Sequence, residues 1–274
     1  MDIQVQRPRW VDRFSDLDCR VDEIRFAAQD GYVPTQDREW CEVVVDGKTR
    51  RVRFHDYGQL YKIPGFYETL FYQRLKCCSP IRVVELLEDV MSQFDEELSE
   101  LGVLDVGAGN GMVGDELEAR GVAQIVGLDI IPEAREAADR DRPDVYEDYL
   151  ITDLTDLPES DEEFLRSKGL NCLSTVAALG FGDIPAAAFA KAMDLIEVPG
   201  WLAFNIKEAF LDESDNTGFC KLIHQLTRER IIQIQAYRRY RHRLSITGEP
   251  LYYVAVIAKK LGDLPDVILD ELSK

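Results

Sequence analysis

The chain has 274 residues, 46% of them apolar, so a packed core is available and wholesale disorder is excluded. Its formal net charge of −19 speaks against duplex nucleic acid as a partner, because binding it usually needs a basic footprint. The six cysteines form no C-x-x-C pair, the three histidines show no metal-ligand spacing, and Asp2, Arg7, Arg9, Asp12 and Arg13 interrupt any secretory core; the expectations are free thiols, no metal, no membrane span and a cytoplasmic location.

Taken in order, residues 1–80 read as an N-terminal cap. Glu39 to Val45 and Lys48 to Phe54 are strand-like, and Asp46-Gly47 between them is a strong hairpin signal. A tyrosine-rich stretch with Tyr57, Tyr61 and Tyr67 follows, and a helical pattern covers about 67–76. Cys77-Cys78-Ser79-Pro80 marks a boundary, with Ser79 placed to cap a helix and Pro80 suited to its first turn. Val83, Val84, Leu87, Val90, Met91, Phe94 and Leu98 recur at three- and four-residue steps, which predicts one amphipathic helix over 81–98.

From residue 102 strands and helices alternate. Strands are expected at 102–106, 124–129, 146–152, 170–176 and 201–206. Helices are expected at 112–120, 132–138, 186–196 and 218–230. Two closing strands, 231–243 and 251–258, have no helix between them and must pair antiparallel. Repeated βα units imply a parallel sheet with helices on both faces. The fold expected is therefore α/β. It has a Rossmann-like seven-stranded sheet, mostly parallel with an antiparallel last strand, over residues 81–262. A β-hairpin and helices precede it, and a polar tail, 263–274, follows.

The first strand of that series ends in Asp105-Val106-Gly107-Ala108-Gly109-Asn110-Gly111, where alternate glycines let a ligand lie against bare main chain. Two cofactors fit, in two frames. Gly109-x-Gly111-x-x-Gly114 satisfies the dinucleotide pattern, with Asp129 near the distance of a ribose-binding acid. Asp105-x-Gly107-x-Gly109-x-Gly111 instead resembles the first motif of the class I S-adenosylmethionine-dependent methyltransferases. The antiparallel closing pair also matches that family. Short segments, Met112 to Gly121 and Ala178 to Pro185, are similar to the Williams–Beuren-region methyltransferase-like proteins.

The resemblance spans roughly residues 100–260. It implies that Asp105, Gly107, Ala108, Gly109 and Gly111 hold the methionine part of S-adenosylmethionine. It further implies that Asp129 accepts both ribose hydroxyls, that Ile130 packs on the adenine, and that Asp153 and Leu154 meet the adenine edge. Thr175 belongs to the fourth-strand motif beneath the sulfonium, and Tyr61 or Tyr67 would reach the methionine end. The expected activity is methyl transfer by in-line displacement to a small molecule, leaving S-adenosylhomocysteine. The alternatives are an NAD-dependent oxidoreductase and a non-catalytic cofactor-binding module. His55, Tyr57 and His242 are the candidates for a catalytic side chain. Tyr237 to Arg243 is the one basic concentration; strand alternation places Arg239, Arg241 and Arg243 on one face and Tyr240 and His242 on the other. That basic face reads either as a site for an anion or RNA, or as a solvated face paired with local acids.

Overall fold

Two sheets organise the residues that the computed structural model describes, which are 21–26, 35–180, 182–212, 214, 216–265, 268 and 272. The smaller is antiparallel: β1 (Val21–Phe26), β2 (Trp40–Val45) and β3 (Lys48–Arg53). The larger contains β4 (Gly102–Val106), β5 (Gln124–Asp129), β6 (Asp148–Ile151), β7 (Cys172–Thr175), β8 (Gly200–Lys207), β9 (Ile232–Leu244) and β10 (Pro250–Lys260). Its order is β6-β5-β4-β7-β8-β10-β9, and β10 runs antiparallel to both neighbours. β4 to β9 therefore all end at one edge, and at such an edge open sheets bind ligands.

Sequence explains the layering. β4 and β7 are buried at every residue, as strands covered on both faces are. On one face α2 (Ser79–Met91) and α3 (Met112–Glu118) bury Val83, Leu87, Val113 and Leu117 against Val103 and Ile125. On the other, α6 (Ala186–Asp194) and α7 (Phe219–Arg228) bury Phe189, Met193, Phe219 and Leu226 against Leu173, Leu202 and Phe204. Each fully buried Leu or Phe there stabilises the fold by about 1.5–3 kcal/mol. Also present are α1 (Tyr57–Tyr61), α4 (Pro132–Asp141) and α5 (Glu159–Ser167). Among the described residues no helix is long and apolar enough to cross a membrane.

The hairpin, the seven-stranded sheet and its antiparallel member agree with expectation. Four local expectations do not. The segment 67–76 is a π-helix over Glu68–Arg74, and its wider coil buries Leu70, Phe71 and Tyr72 together. The helix expected over 81–98 stops at Met91; a 3-10 turn follows, and Asp95 in the left-handed region (φ +56°) reverses the chain. Ser79 does not cap α2; the cap position is Cys78, and the Ser79 hydroxyl faces Tyr240 and His242 instead. β1 and α5 are further elements that the sequence pattern does not announce. The tail includes Leu264 and Ile268, both buried in the core.

Candidate functional site

The loop after β4 is built by its glycines. Gly107, Gly109 and Gly111 have φ of +72°, +55° and +90°, values that side-chain-bearing residues rarely adopt. The amides of Gly107 and Ala108 donate to Leu128 O at 2.8 and 3.1 Å, which ties the loop to β5. Asp129, at the end of β5, completes the tie. Its Oδ2 accepts from Gly109 N at 2.9 Å, and its Oδ1 accepts from Ile130 N and Ile131 N at 2.8 and 3.1 Å. Burial pushes the Asp129 carboxyl up, and the three backbone donors oppose that shift. Oδ2 takes a single bond here, so it retains a lone pair for a ligand hydroxyl. Beside it Ile130 is 57% exposed, an unusual state for a large apolar side chain next to a buried acid. A vicinal diol on Asp129 and a flat ring over Ile130 would satisfy both, so these residues fit a nucleoside.

Both border a cavity of about 330 Å³ at the carboxyl edge of the sheet. Gly107, Asp129 and Ile130 line one side, and Asp153 and Leu154 line the next. Asp153 also caps its own turn, accepting from Thr155 N at 2.8 Å and Thr155 Oγ1 at 2.7 Å. Ala177 and Ala178, beyond β7, lie opposite, and His55, Tyr57, Tyr61 and Tyr67 form the cover. Burial pushes the Tyr57 and Tyr61 hydroxyls well above their ordinary range, so they stay protonated.

Other expected residues stand behind the cavity wall. Asp105 is buried and accepts from Tyr146 Oη at 2.9 Å; burial pushes its carboxyl up to about 7 against hydrogen bonds from Tyr146 and Ser174. Thr175 is fully buried. Gly109 is roofed by the protein itself, since a Cβ there would lie 2.4 Å from the Tyr61 hydroxyl. Its carbonyl accepts from Tyr149 Oη at 2.7 Å. Ala108 is buried, and a Cβ at Gly111 would meet Arg142 and Tyr146 at 3.1 Å. Gly114 is helical, and a Cβ there would meet Val145 and Tyr146 at 2.7 and 2.8 Å. Its smallness therefore serves packing of α3.

A smaller chamber of about 40 Å³ adjoins the cavity and shares His55, Tyr57, Tyr67, Ala177 and Asp183 with it. His242 and Arg243 reach this chamber from β9. The strand does run parallel to its fellows, so its far end does arrive at the ligand edge. The expected alternation fails there, however. Arg243 is buried and ion-paired with Glu39, while Arg239 is exposed and pairs with Glu208 at 2.9 Å. Arg243 is thus no part of an open basic face. Asp183 pairs with His55 Nδ1 at 3.0 Å across the mouth. The loop Ala178 to Pro185 carries it there, turning at Gly180 and Gly182, both at positive φ.

Buried charges join the cover to the glycine loop. Arg142 Nη1 donates to Glu68 Oε1 at 2.9 Å and to Asn110 O at 3.0 Å, and Asn110 Nδ2 donates to the same Glu68 oxygen at 2.7 Å. Glu68 and Arg142 are each 1% exposed.

Residues 103–176 match a family described as a methyltransferase domain. No curated protein matches the sequence significantly. Similar solved structures include a magnesium protoporphyrin IX methyltransferase from Synechocystis PCC 6803 with bound S-adenosylmethionine, at 15% identity and TM-score 0.46, covering 66% of this chain and 79% of that one. A ribosomal protein L11 methylase from Lactobacillus delbrueckii subsp. bulgaricus shows 16% identity and TM-score 0.44, over 67% of this chain and 79% of that one. An S-adenosylmethionine-dependent methyltransferase from Mesorhizobium loti shows 15% identity and TM-score 0.43, over 63% and 96%.

Proposed function

We propose, for a chain that carries a methyltransferase domain of class I architecture, that S-adenosylmethionine binds in the larger cavity and a small molecule accepts the methyl group at the adjoining chamber. In this reading residues 81–262 form the catalytic unit and residues 1–80 its cover. Asp129 would hold the ribose hydroxyls, Ile130 and Leu154 the adenine faces, and Asp153 the adenine edge. Gly107 would leave main chain bare for the methionine portion, with Tyr61 and Tyr67 above it. Asp105 would act from behind, by fixing the strand end. When bound, the sulfonium supplies an activated methyl group for in-line displacement.

The chain's own contribution is alignment and exclusion of water. Stacked and tilted tyrosines close the cavity: Tyr57 and Tyr61 have centroids 6.1 Å apart, and Tyr61 and Tyr67 5.2 Å. Holding two reactants in line is worth several kcal/mol of barrier. If the acceptor must lose a proton, His55 is the side chain placed to take it. Asp183 orients its ring, as the partner of a general base does. Tyr57, kept protonated by burial, serves as a donor instead.

The exposed Ile130 beside Asp129 is the observation that carries this reading. Calorimetric titration with S-adenosylhomocysteine and with NAD tests it. Binding of the former and not of the latter is expected; the reverse would restore the oxidoreductase frame. Transfer from radiolabelled S-adenosylmethionine to small-molecule, RNA and protein fractions then tests the acceptor. Label only in RNA or protein would overturn the small-molecule assignment, and binding without any label would indicate a non-catalytic module.

A further inference from the structure

The far end of β9 contains a bulge. Leu251 pairs with Arg243 and Tyr252 with Arg241, so His242 is an extra residue on its strand. The bulge turns His242 and Arg243 inward together, leaving them 5% and 3% exposed. The His242 ring faces the chamber and stacks on Tyr253 with centroids 4.1 Å apart.

A chain of hydrogen bonds decides where the imidazole carries its proton. The backbone amide of Ala177, itself at φ +60°, can only donate, and it meets Asn205 Oδ1 at 2.6 Å. That contact fixes the orientation of the Asn205 amide. Asn205 Nδ2 then donates to Tyr240 Oη at 2.5 Å. Tyr240, having accepted that bond, has its own proton free for Ser79 Oγ, 2.7 Å away. Ser79 passes its proton on to His242 Nδ1 at 2.6 Å. Cys77 Sγ, 4.0 Å from Nδ1, is a much longer contact, so the arrangement that uses every short hydrogen bond in one direction makes Nδ1 an acceptor and places the hydrogen of the neutral ring on Nε2. Nε2 has no hydrogen-bond partner among the described residues.

The surroundings keep the ring neutral. Burial and the neighbouring Arg243 hold His242 well below its ordinary range. Glu39 neutralises Arg243, and Asp183 is paired with His55 at the mouth. Burial pushes the Cys77 thiol up to about 11 and the Tyr253 hydroxyl to about 12, so both stay uncharged. Gln36 enters the same chamber from the other side. Its Nε2 donates to Tyr253 Oη at 2.8 Å, while its Oε1 is buried without a partner among the described residues. One N–H donor and one carbonyl acceptor thus flank Tyr253, within walls supplied by Phe54, Tyr57 and Phe71.

We propose that His242 and Gln36 form the recognition site for the methyl acceptor and select a small neutral molecule with an amide-like edge, a carbonyl beside an N–H. His242 donates to the carbonyl and Gln36 accepts from the N–H, so the chamber of about 40 Å³ takes the amide edge alone and the apolar body extends toward the larger cavity that shares Tyr57 and Tyr67 with it. His242 is a fixed donor and not a proton acceptor. This rests on the chamber being where the acceptor enters. Ala177, Asn205, Tyr240 and Ser79 are positioning residues that set the His242 tautomer.

The test is nitrogen NMR of the full chain labelled at histidine, with benzamide as the probe. His55, His224 and His242 are the three signals, and His242→Phe identifies the third. The expected state is Nε2–H, unchanged across the range in which histidine ordinarily titrates. Benzamide should move the Nε2 signal and lose about tenfold or more in affinity in His242→Phe, the cost of an unmet polar contact in a built site. Tyr240→Phe keeps the ring but breaks the chain, so the Nδ1–H form should appear and benzamide should weaken. Wild-type protein with Nδ1 protonated, or a His242 signal indifferent to benzamide, would overturn the proposal. S-adenosylhomocysteine titration of each variant separates the two readings and reports folding. Should S-adenosylhomocysteine fail to bind while His242 responds, the methyl-donor reading falls alone. Should it bind while His242 stays silent, the acceptor site falls alone.

Discussion

β4 buries all five of its residues, whereas β3 exposes five of its six. The difference runs through the molecule. The seven-stranded sheet is clamped by an apolar cluster on each face. The N-terminal unit packs through a third apolar cluster, but charges sealed from water also fasten it to the rest of the fold, Glu68 to Arg142 and Glu39 to Arg243. Apolar contact tolerates small shifts, while a buried ion pair does not, because each partner depends on the other for its solvation. The cover is therefore held in one register over the glycine loop.

The contrast is most directly broken at Glu68. Glu68→Ala leaves the Arg142 guanidinium buried without its carboxylate, and losing one partner of such a pair costs about 3–5 kcal/mol. Urea unfolding should show that loss; a cost below about 1 kcal/mol would mean that apolar contact alone fastens the unit.

Asp105 is an acid buried within β4 of the larger sheet. Its folded carboxyl, at about 7, lies above the unfolded value near 3.9, so the folded chain binds the extra proton between them. Stability from this group is full in acid and falls as pH rises through that window. Asp105→Asn should then stabilise the chain by on the order of 2–4 kcal/mol at pH 8 and leave it nearly unchanged at pH 4. His242 works in the opposite direction. Its folded form stays neutral while the unfolded chain takes up a proton below about 6.5, so its contribution declines as pH falls through that value. Unfolding of Asp105→Asn and His242→Phe across pH separates the two slopes.

Asp129→Ala removes the acceptor that also braces Gly109. S-adenosylhomocysteine affinity should fall about a hundredfold, a charge-assisted bond's worth, as read by calorimetry. The smallest effect concerns the contact between the two regions. Gly109→Ala should cost about 1–3 kcal/mol, from the left-handed backbone and from the clash with Tyr61. Adding Tyr61→Phe should return about 1 kcal/mol, a coupling visible in a double-mutant cycle. Strict additivity would mean that the cover does not touch the loop in solution.

Legibility in the sequence follows the same division. The doubly wound half was readable because local signals agreed with the fold: continuous apolar strands, glycines at positive φ, Asp129 at a strand end and a helix-free closing pair. β4 and β5 were placed residue for residue. The cover was readable only where a turn announced itself, at Asp46-Gly47. Its π-helix reads in the sequence only as a helical pattern, and nothing in Glu68–Arg74 distinguishes the wider coil from an ordinary one. The site was half visible. Asp129, Ile130 and the tyrosines were named from motif and composition, and the cavity brings them together. Gln36, Asp183 and the chain from Ala177 to His242 depend on contacts across long separations, and Ser79 looked like a cap because its true partner lies 163 residues away. The bulge at His242 likewise leaves no mark in a strand's alternation until the register of β10 is known.

The apolar cluster of the N-terminal unit is not made from that unit alone. Met112, from the glycine loop's helix, and Ile246, from the turn after β9, complete it. A ribosome would release Phe54, Leu60, Phe66, Leu70 and Phe71 long before Ile246 leaves the exit tunnel. Until Ile246 emerges the cluster is incomplete, and incompletely covered apolar surface is what chaperones bind and aggregation exploits. A chain stopped short of residue 246 would thus expose its earliest segment as well as lack its last strand, so nonsense truncations near the end should be cleared from the cell as thoroughly as those near the start.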